Sequence, residues 1–307
     1  MRVFVAGGTG AIGRRLVPRL VARGHQVTAT TTSAAKLGLL KQFGADGVVM
    51  DGLDAVTVGE TVATAQPDVI VHQMAVVSGE KADIKHPDRW FNTTNRLRAE
   101  GTDHLLAAAE ATGVTHFVAR STGIANGIRE GGWVKTEEDP LDPEERTTAR
   151  ETAEAVRHLE EVIVTAGGAA LRYGGLYGPY VVDERVELVR RRQFPLVGAG
   201  TGHFSWVHLD DAVNATVLAV EQKAHGVFNL VDDEPAPVSE WLPYLAECTG
   251  AKRPRRVPRR LGRLLAGEAA VTMMTEGRGF SNAKAKRELG WELRYPSWRQ
   301  GFREGLA

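Results

Sequence analysis

The sequence lacks several features that would assign the protein to a class. It has one cysteine, Cys248, so no internal disulfide can form and a reducing cytoplasm is the expected compartment. Its 38 basic and 38 acidic side chains balance, which gives no overall attraction to nucleic acid or anionic lipid. We find no apolar run of membrane-spanning length, no leader pattern and no metal-ligand spacing among the histidines. These absences predict a soluble cytoplasmic protein that uses no metal and binds neither nucleic acid nor membrane.

Short apolar strands and amphipathic helices alternate through the first part of the chain. The predicted strands are 2–6, 25–31, 47–50, 68–74, 116–121 and 169–173, and the main predicted helices are 11–24, 36–44, 88–112 and 146–163. This alternation is typical of an α/β protein with a doubly wound parallel sheet. We predict a core over 1–175, completed by elements near 204–232. A smaller lobe is expected mainly from 176–203 and 233–307, where prolines interrupt the alternation.

The stretch VAGGTGAIG joins the first strand to the first helix. It satisfies both G-x-G-x-x-G and G-x-x-G-x-x-G. Glycines at these positions allow a tight turn and close approach of a pyrophosphate, while the helix N-terminus offers free N–H groups. The strand–loop–helix context predicts dinucleotide binding, with a purely structural turn as the alternative. The predicted contacts are Gly7, Gly10, Ala11, Ile12 and Gly13.

The end of the second strand, ATTTSAAK, carries hydroxyl groups and a lysine but no acid. An NAD site usually has a carboxylate here for the ribose 2′-hydroxyl, and that carboxylate would repel a 2′-phosphate. Its absence favours NADP over NAD. The candidate donors are Thr31, Thr32, Ser33 and Lys36, unless they only cap the next helix. Asp51, after the third strand, is predicted either to bond the adenine amino group or to cap a helix.

Further motifs follow the glycine loop in order: DGLD, VIVHQMA, EGTDHLLAAAEATGV, HFVARSTG, LRYGGLYGP, FSWVHLDDAVNATVLAVE and GVFNLVDDEP. Over nearly the whole chain this set resembles the extended short-chain dehydrogenase/reductases of the NAD-dependent epimerase/dehydratase type. The resemblance implies a seven-stranded Rossmann core, a smaller C-terminal substrate lobe and a small-molecule substrate. Family members commonly form homodimers through two long helices, and a homodimer is compatible with this sequence.

Members of that family usually carry a Ser or Thr after the fifth strand and a Tyr-x-x-x-Lys on the following helix. The Lys holds the nicotinamide ribose, and the Tyr exchanges a proton with the substrate oxygen. Thr122 stands at the Ser/Thr position, with Ser121 beside it. The helix expected to carry the pair, RTTARETAEAVRHLEEVI, contains neither Tyr nor Lys. The chain therefore resembles atypical members that lack the pair, and the usual mechanism is not implied.

Reduction of a ketone by NADPH is the predicted reaction, because oxidation of an unactivated hydroxyl depends more on the missing base. The proton would come from water relayed by Thr122, from an acid of the lobe or from a substrate phenol. Comparison with atypical members that reduce aromatic polyketides in antibiotic pathways suggests an aromatic natural-product intermediate. The alternatives are an idle NADP-binding sensor or scaffold, and a nucleotide-sugar epimerase with a proton relay from another segment.

The remaining predicted site residues follow the later strands. Tyr173 is expected either to donate a proton or to pack against the nicotinamide. The further cofactor contacts expected are Met74, Ala75, Gly175 and Leu176. Aromatic side chains would suit a planar ligand, with ordinary core packing as the alternative. The candidate substrate contacts are Trp133, Tyr180, Phe204 and Trp206.

Overall fold

A seven-stranded parallel sheet forms the centre of the computed structural model, which describes residues 1–76, 85–123, 129–142, 149–179, 181 and 183–306. Its strands are β1 Arg2–Ala6, β2 Gln26–Thr31, β3 Asp46–Val49, β4 Val69–His72, β5 Phe117–Thr122, β6 Ala169–Tyr173 and β7 Gly226–Leu230. They lie in the order β3-β2-β1-β4-β5-β6-β7, and every neighbouring pair is parallel. The doubly wound Rossmann fold predicted from the sequence is confirmed. The strand order reverses between β1 and β4, where such sheets bind ligands beyond the carboxyl ends of the strands.

Helices cover both faces of this sheet. The helices are α1 Gly13–Ala22, α2 Leu37–Gln42, α3 Ala55–Ala65, α4 Pro87–Thr112, α5 Arg150–Thr165, α6 Asp183–Arg190, α7 Leu209–Glu221, α8 Val238–Cys248, α9 Arg259–Glu276, α10 Ala283–Leu289 and α11 Trp298–Glu304. One apolar cluster packs α1 and α7 against the sheet, and another packs α3, α4 and α5 against the opposite face. In α5 one face is apolar and buried, with Ala153, Val156, Leu159 and Ile163 turned inward. The α5 helix is thus amphipathic, as its sequence predicts.

A third apolar cluster runs from Tyr177 to Phe302 and forms the core of the C-terminal part. Short strand pairs connect this part to the sheet and to itself. They are Gly175–Tyr177 with Trp206–His208, Leu196–Val197 with Arg256–Val257, His203–Phe204 with Ala236–Pro237, and Val134–Lys135 with Gly279–Phe280. Within the described part of the chain, no helix has the length and apolar character needed to cross a membrane.

Candidate active site

The glycine loop between β1 and α1 contains two glycines that the packing of the protein requires, Gly7 and Gly13, and one that it does not, Gly10. Gly7 has φ +94°, and a Cβ there would lie 2.9 Å from the Gln73 carbonyl carbon. A Cβ at Gly13 would lie 2.6 Å from the Gly8 carbonyl carbon, where no Cβ fits. At exposed Gly10, in contrast, a Cβ would meet the Gly7 oxygen at an ordinary 3.5 Å. Gly10 therefore keeps a space that the protein itself does not need, which fits the close approach of a dinucleotide pyrophosphate.

The four predicted 2′-phosphate donors at and after the end of β2 differ in their exposure to solvent. The Thr31 hydroxyl is buried and accepts from the Ser33 backbone N–H at 3.3 Å, and it lies 3.2 Å from the Thr9 hydroxyl. Thr32 and Lys36 are exposed and Ser33 is half-buried. Ser33 precedes a short 3-10 turn without capping it through its side chain. The accessible donors are therefore Thr32, Ser33 and Lys36, whereas Thr31 holds the loop.

Asp51 is exposed and lies two residues after the end of β3. Its Oδ1 accepts from the Leu53 backbone N–H at 3.0 Å. The N-cap of α3 is Asp54, whose carboxylate accepts from the backbone N–H groups of Val56 and Thr57. Asp51 is thus not the cap that the sequence left as an alternative, and its predicted adenine contact stays a prediction.

Met74, a predicted cofactor contact in the segment after β4, directs its side chain into the packing of the protein. A Cβ on Gly52 would lie 2.7 Å from the Met74 Cε, so the Met74 side chain packs against the DGLD segment. Ala75 follows and is half-buried. Met74 therefore joins the ends of β3 and β4, and both Met74 and Ala75 are half-buried.

Ser121 belongs to a buried ionic network that the sequence did not reveal. Its hydroxyl donates to Glu160 Oε1 at 2.6 Å, and Arg172 donates to both oxygens of the same carboxylate at 2.8 and 2.6 Å. All three side chains are buried. The Ser121 hydroxyl therefore faces α5 and is committed to Glu160. Thr122, the next residue, points to the other face of β5 and is half-buried, so it keeps the predicted Ser/Thr position.

Tyr173 ends β6 with its hydroxyl enclosed. The hydroxyl lies 2.7 Å from Thr216 Oγ1 and accepts from Gln73 Nε2 at 3.1 Å, and the residue is 2% exposed. Burial raises the pKa of this phenol. A fully buried hydroxyl with two partners is poorly placed to protonate a substrate, so the geometry favours the packing role over the proton-donor role.

Two of the predicted substrate contacts belong to the lobe core. Trp206 is fully buried and Phe204 is nearly so. Both rings pack over Gly175, where a Cβ would lie 2.8 Å from Trp206 Cε3 and 2.9 Å from Phe204 Cζ. Because Gly175 has no side chain, these rings fill the space beside the strand, which corrects their assignment to a pocket wall. It also places Gly175 in lobe packing, while Leu176 beside it is half-buried against the sheet cluster.

Trp133 differs from those two rings because it is 43% exposed. Its ring stacks on His203 with centroids 4.9 Å apart, and the Arg278 guanidinium carbon lies 4.4 Å from its centroid. Trp133 thus stays a candidate ligand contact on the lobe. Tyr180, the fourth predicted contact, lies outside the described residues.

His72, the last residue of β4, is buried, and no motif in the sequence singled it out. Its Nε2 donates to the Leu97 carbonyl at 3.1 Å, and its Nδ1 accepts from the Met74 backbone N–H at 3.2 Å. One ring proton satisfies both bonds, so the imidazole is neutral. Burial, with the charges of Arg120 and Arg98 nearby, lowers its pKa to about 4.

Acidification is expected to destabilise the protein through His72. Its folded pKa of about 4 lies below the ordinary value of 6.5, so the unfolded chain takes up the proton first as pH falls. The stabilisation is complete above pH 6.5 and is lost between 6.5 and 4, by up to about 3 kcal/mol. Urea unfolding across this range should show a weaker pH dependence for His72→Gln than for the wild type. An unchanged dependence in His72→Gln, or an equal effect of replacing the exposed His158, would contradict this account.

The fold and the glycine loop together define a dinucleotide-binding protein of the doubly wound class. Residues 3–230 match the sequence model of the NAD dependent epimerase/dehydratase family, and the chain belongs to this family. It is 41% identical to a 3-diazoavenalumate denitrifying reductase from Streptomyces sp, over 98% of this chain and 99% of that protein. The chain is therefore an NAD(P)-dependent oxidoreductase of the extended short-chain dehydrogenase/reductase type, and reductases are among its relatives.

More distant relatives are named for different activities. The chain is 26% identical to a 4-hydroxy-2-methyl-3-oxo-4-farnesyl-3,4-dihydroquinoline-1-oxide ketoreductase from Stigmatella aurantiaca, over 95% of this chain and 92% of that protein. The structure of human epimerase family protein SDR39U1 with NADPH has TM-score 0.74 and 20% identity, covering 100% of this chain and 97% of that one. A Thermus thermophilus UDP-glucose 4-epimerase with NAD has TM-score 0.75 and 24% identity, covering 100% and 98%. At these identities the two structures support the fold.

Proposed function

We propose that this protein is an NADPH-dependent reductase that replaces a diazo group on a small aromatic compound with hydrogen and releases N2. The observation that carries the proposal is helix α5, which lacks both members of the Tyr-x-x-x-Lys pair. At the start of α5, Arg150 and Glu154 have the spacing of the missing Tyr and Lys, and they bind each other: Arg150 Nε donates to Glu154 Oε1 at 2.8 Å. The 41% identical relative, which is named for a diazo substrate and for loss of nitrogen, supports the same reaction.

The missing pair is informative because reduction of a ketone requires a proton donor, whereas reductive loss of a diazo group does not. Reduction of a ketone leaves an alkoxide that must be protonated, which is the usual task of the Tyr. An aryl diazonium ion that accepts a hydride breaks its C–N bond, forms a C–H bond and releases N2. The arene is reduced by two electrons, and the balanced products are ArH and N2 without an added proton. This chemistry can proceed on a chain that has lost the proton donor.

The residues present supply binding and orientation for this reaction. NADPH, when bound, supplies the hydride. Gly10 and the N-terminus of α1 would hold the pyrophosphate, and Thr32, Ser33 and Lys36 would hold the 2′-phosphate. Thr122, at the end of β5, would face the reacting part of the ligand. The absence of an acid at the end of β2 supports NADPH over NADH, because no carboxylate stands there to repel the extra phosphate.

Reduction of a ketone on an aromatic natural-product intermediate is the second candidate. The ketoreductase among the relatives favours it. In that case Thr122 would relay a proton from water, or a phenol of the substrate would provide it. Small-molecule chemistry in the cytoplasm and a homodimer through α4 and α5 stay predictions for both candidates.

The test is an assay of NADPH consumption with a diazotised ortho-aminophenol carrying labelled nitrogen. We expect one labelled N2 per NADPH, transfer of deuterium from the nicotinamide C4 to the ring carbon, and much slower turnover with NADH. Gly10→Val and enzyme-free samples control for direct reduction by the nucleotide. Turnover of an aromatic ketone without turnover of the diazo compound would select the second candidate. NADPH binding without consumption of either compound would indicate an idle binder and reject both.

A further inference from the structure

The first half of α9 carries apolar side chains on its outer face. Leu264 is 72% exposed, and Leu265 and Leu261 are 52% and 41% exposed. Their spacing of three and four residues places the three side chains on one stripe of the helix. Another side of the same helix is buried, because Gly262 packs against Val197, and a Cβ added to this glycine would lie 2.8 Å from Val197 Cγ1. This packing fixes the orientation that points the leucines away from the protein.

Gly267 separates this half of α9 from the rest of the helix. It has φ +83° and ψ 170°, so the helix is kinked there. A Cβ on Gly267 would lie 3.0 Å from Lys85 Cα, so the kink packs against the chain just before α4. The segment 259–266 is therefore held at both ends, by the strand pair of Arg256–Val257 with Leu196–Val197 and by this contact.

The exposed leucines adjoin a concentration of positive charge. Residues 252–263 contain seven cationic side chains and no acidic one, and all seven are exposed. Arg259 and Arg263 have carboxylate partners, Glu276 and Glu268. The other five form no ion pair with a carboxylate of the described residues, and they are Lys252, Arg253, Arg255, Arg256 and Arg260. We call residues 252–266 the basic leucine patch. The charge of the chain is balanced in total but not in its distribution.

We propose that the basic leucine patch binds the surface of a membrane that contains anionic lipids. Guanidinium groups pair with lipid phosphates, and leucines beside them can enter the apolar layer beneath. Each cation near such a surface contributes about 1 kcal/mol, and each leucine adds the burial of its side chain. The sequence analysis expects no membrane binding from the total charge and from the missing span. A local patch at the surface depends on neither.

Two other occupants fit the patch less well. Pairing of two patches from two copies of this chain would bring like charges together, which is unfavourable. An acidic protein partner would match the charges, but it would also need a complementary hollow for the projecting Leu264. A lipid surface needs no preformed hollow, because its molecules rearrange around an inserted side chain. The combination of projecting leucines and unpaired cations therefore favours the lipid surface.

The test is co-sedimentation of the full chain with vesicles of phosphatidylcholine, with and without about 30% phosphatidylglycerol. We expect the anionic vesicles to bind the protein at least about tenfold more tightly, and added salt to weaken this binding. Replacing three cations together, Arg255→Gln, Arg256→Gln and Arg260→Gln, should weaken it about 100-fold. Leu264→Asp with Leu265→Asp should weaken it further, because these changes remove apolar surface and add negative charge.

Matched controls separate the patch from the rest of the surface. Lys41→Gln, Arg96→Gln and Arg287→Gln remove the same charge from exposed positions elsewhere. Val56→Asp changes an apolar residue on α3 that is 68% exposed. Both controls should bind the anionic vesicles like the wild type. All the substituted side chains are exposed, so every variant should keep the thermal midpoint of the wild type.

Insertion of the leucines can be measured separately from attraction of the charges. Leu264→Trp should add a fluorescence signal that brominated lipids in anionic vesicles quench, whereas the signal added by Val56→Trp should not be quenched. Equal binding to neutral and anionic vesicles, no vesicle binding, or full binding by the leucine variant would overturn the proposal. An equal loss in the charge control would assign the effect to total charge. Salt-sensitive binding of an acidic amphipathic peptide without vesicle binding would assign the patch to a protein partner and reject the membrane.

Discussion

Gly10→Ala is expected to weaken NADP(H) binding by at least about 100-fold while leaving the stability of the protein unchanged. The Gly10 backbone lies outside the left-handed region, and a Cβ there would meet the protein at 3.5 Å. The new methyl group therefore occupies only the space that a pyrophosphate needs. Fluorescence titration with NADPH and urea unfolding measure the two effects separately.

Gly13→Ala should have a different effect although it belongs to the same motif. Its Cβ would lie 2.6 Å from the Gly8 carbonyl carbon, so α1 must move away from β1. Such overpacking should lower the free energy of unfolding by about 3 kcal/mol, and binding should be lost with it. Gly59→Ala on α3 is the control, because a Cβ there meets nothing within 4 Å and alanine favours the helix. A destabilised Gly10→Ala, or one with normal affinity, would show that the loop is the structural turn left open by the sequence.

The sheet could be predicted from the sequence because each strand carries its own signal. Segments such as RVFVA and AALRY are mostly apolar, with a single arginine each. Because both faces of a parallel sheet are covered, this pattern agrees with the burial of the strands. The glycine loop is equally local, since strand, turn and helix follow one another without a gap. The seventh strand, Gly226–Leu230, was not among the six strands predicted from local pattern, and the seven-stranded core was implied by the family resemblance.

The candidate site was harder to predict because side-chain direction depends on distant residues. Ser121 and Thr122 are neighbours in sequence, yet one faces Glu160 and the other the opposite side of β5. Trp206 and Trp133 are both aromatic residues of the lobe region, but only packing over Gly175 makes the first a core residue. Aromatic character alone cannot distinguish a pocket wall from a core.

Arg172→Met is expected to lower the free energy of unfolding by about 3 to 5 kcal/mol. Arg172 and Glu160 are both buried, and removal of the guanidinium leaves the carboxylate with the Ser121 hydroxyl as its remaining partner in this network. Urea unfolding at neutral pH measures the loss. Arg23→Met is the matched control, because Arg23 makes a similar two-bonded pair with Glu221 but is 51% exposed. An exposed pair of this kind should contribute less than about 1 kcal/mol.

The double variant Arg172→Met with Glu160→Leu decides what the pair does. If the cost of the single variant comes from a stranded charge, removing both charges should restore much of the stability. NADPH binding should recover with it, because the pair ties α5 to β6 and Ser121 ties both to β5, one residue before Thr122. A double variant as unstable as Arg172→Met would mean that shape rather than charge compensation holds this junction. A stable double variant that loses turnover but keeps NADPH binding would show that the network positions Thr122 against the substrate.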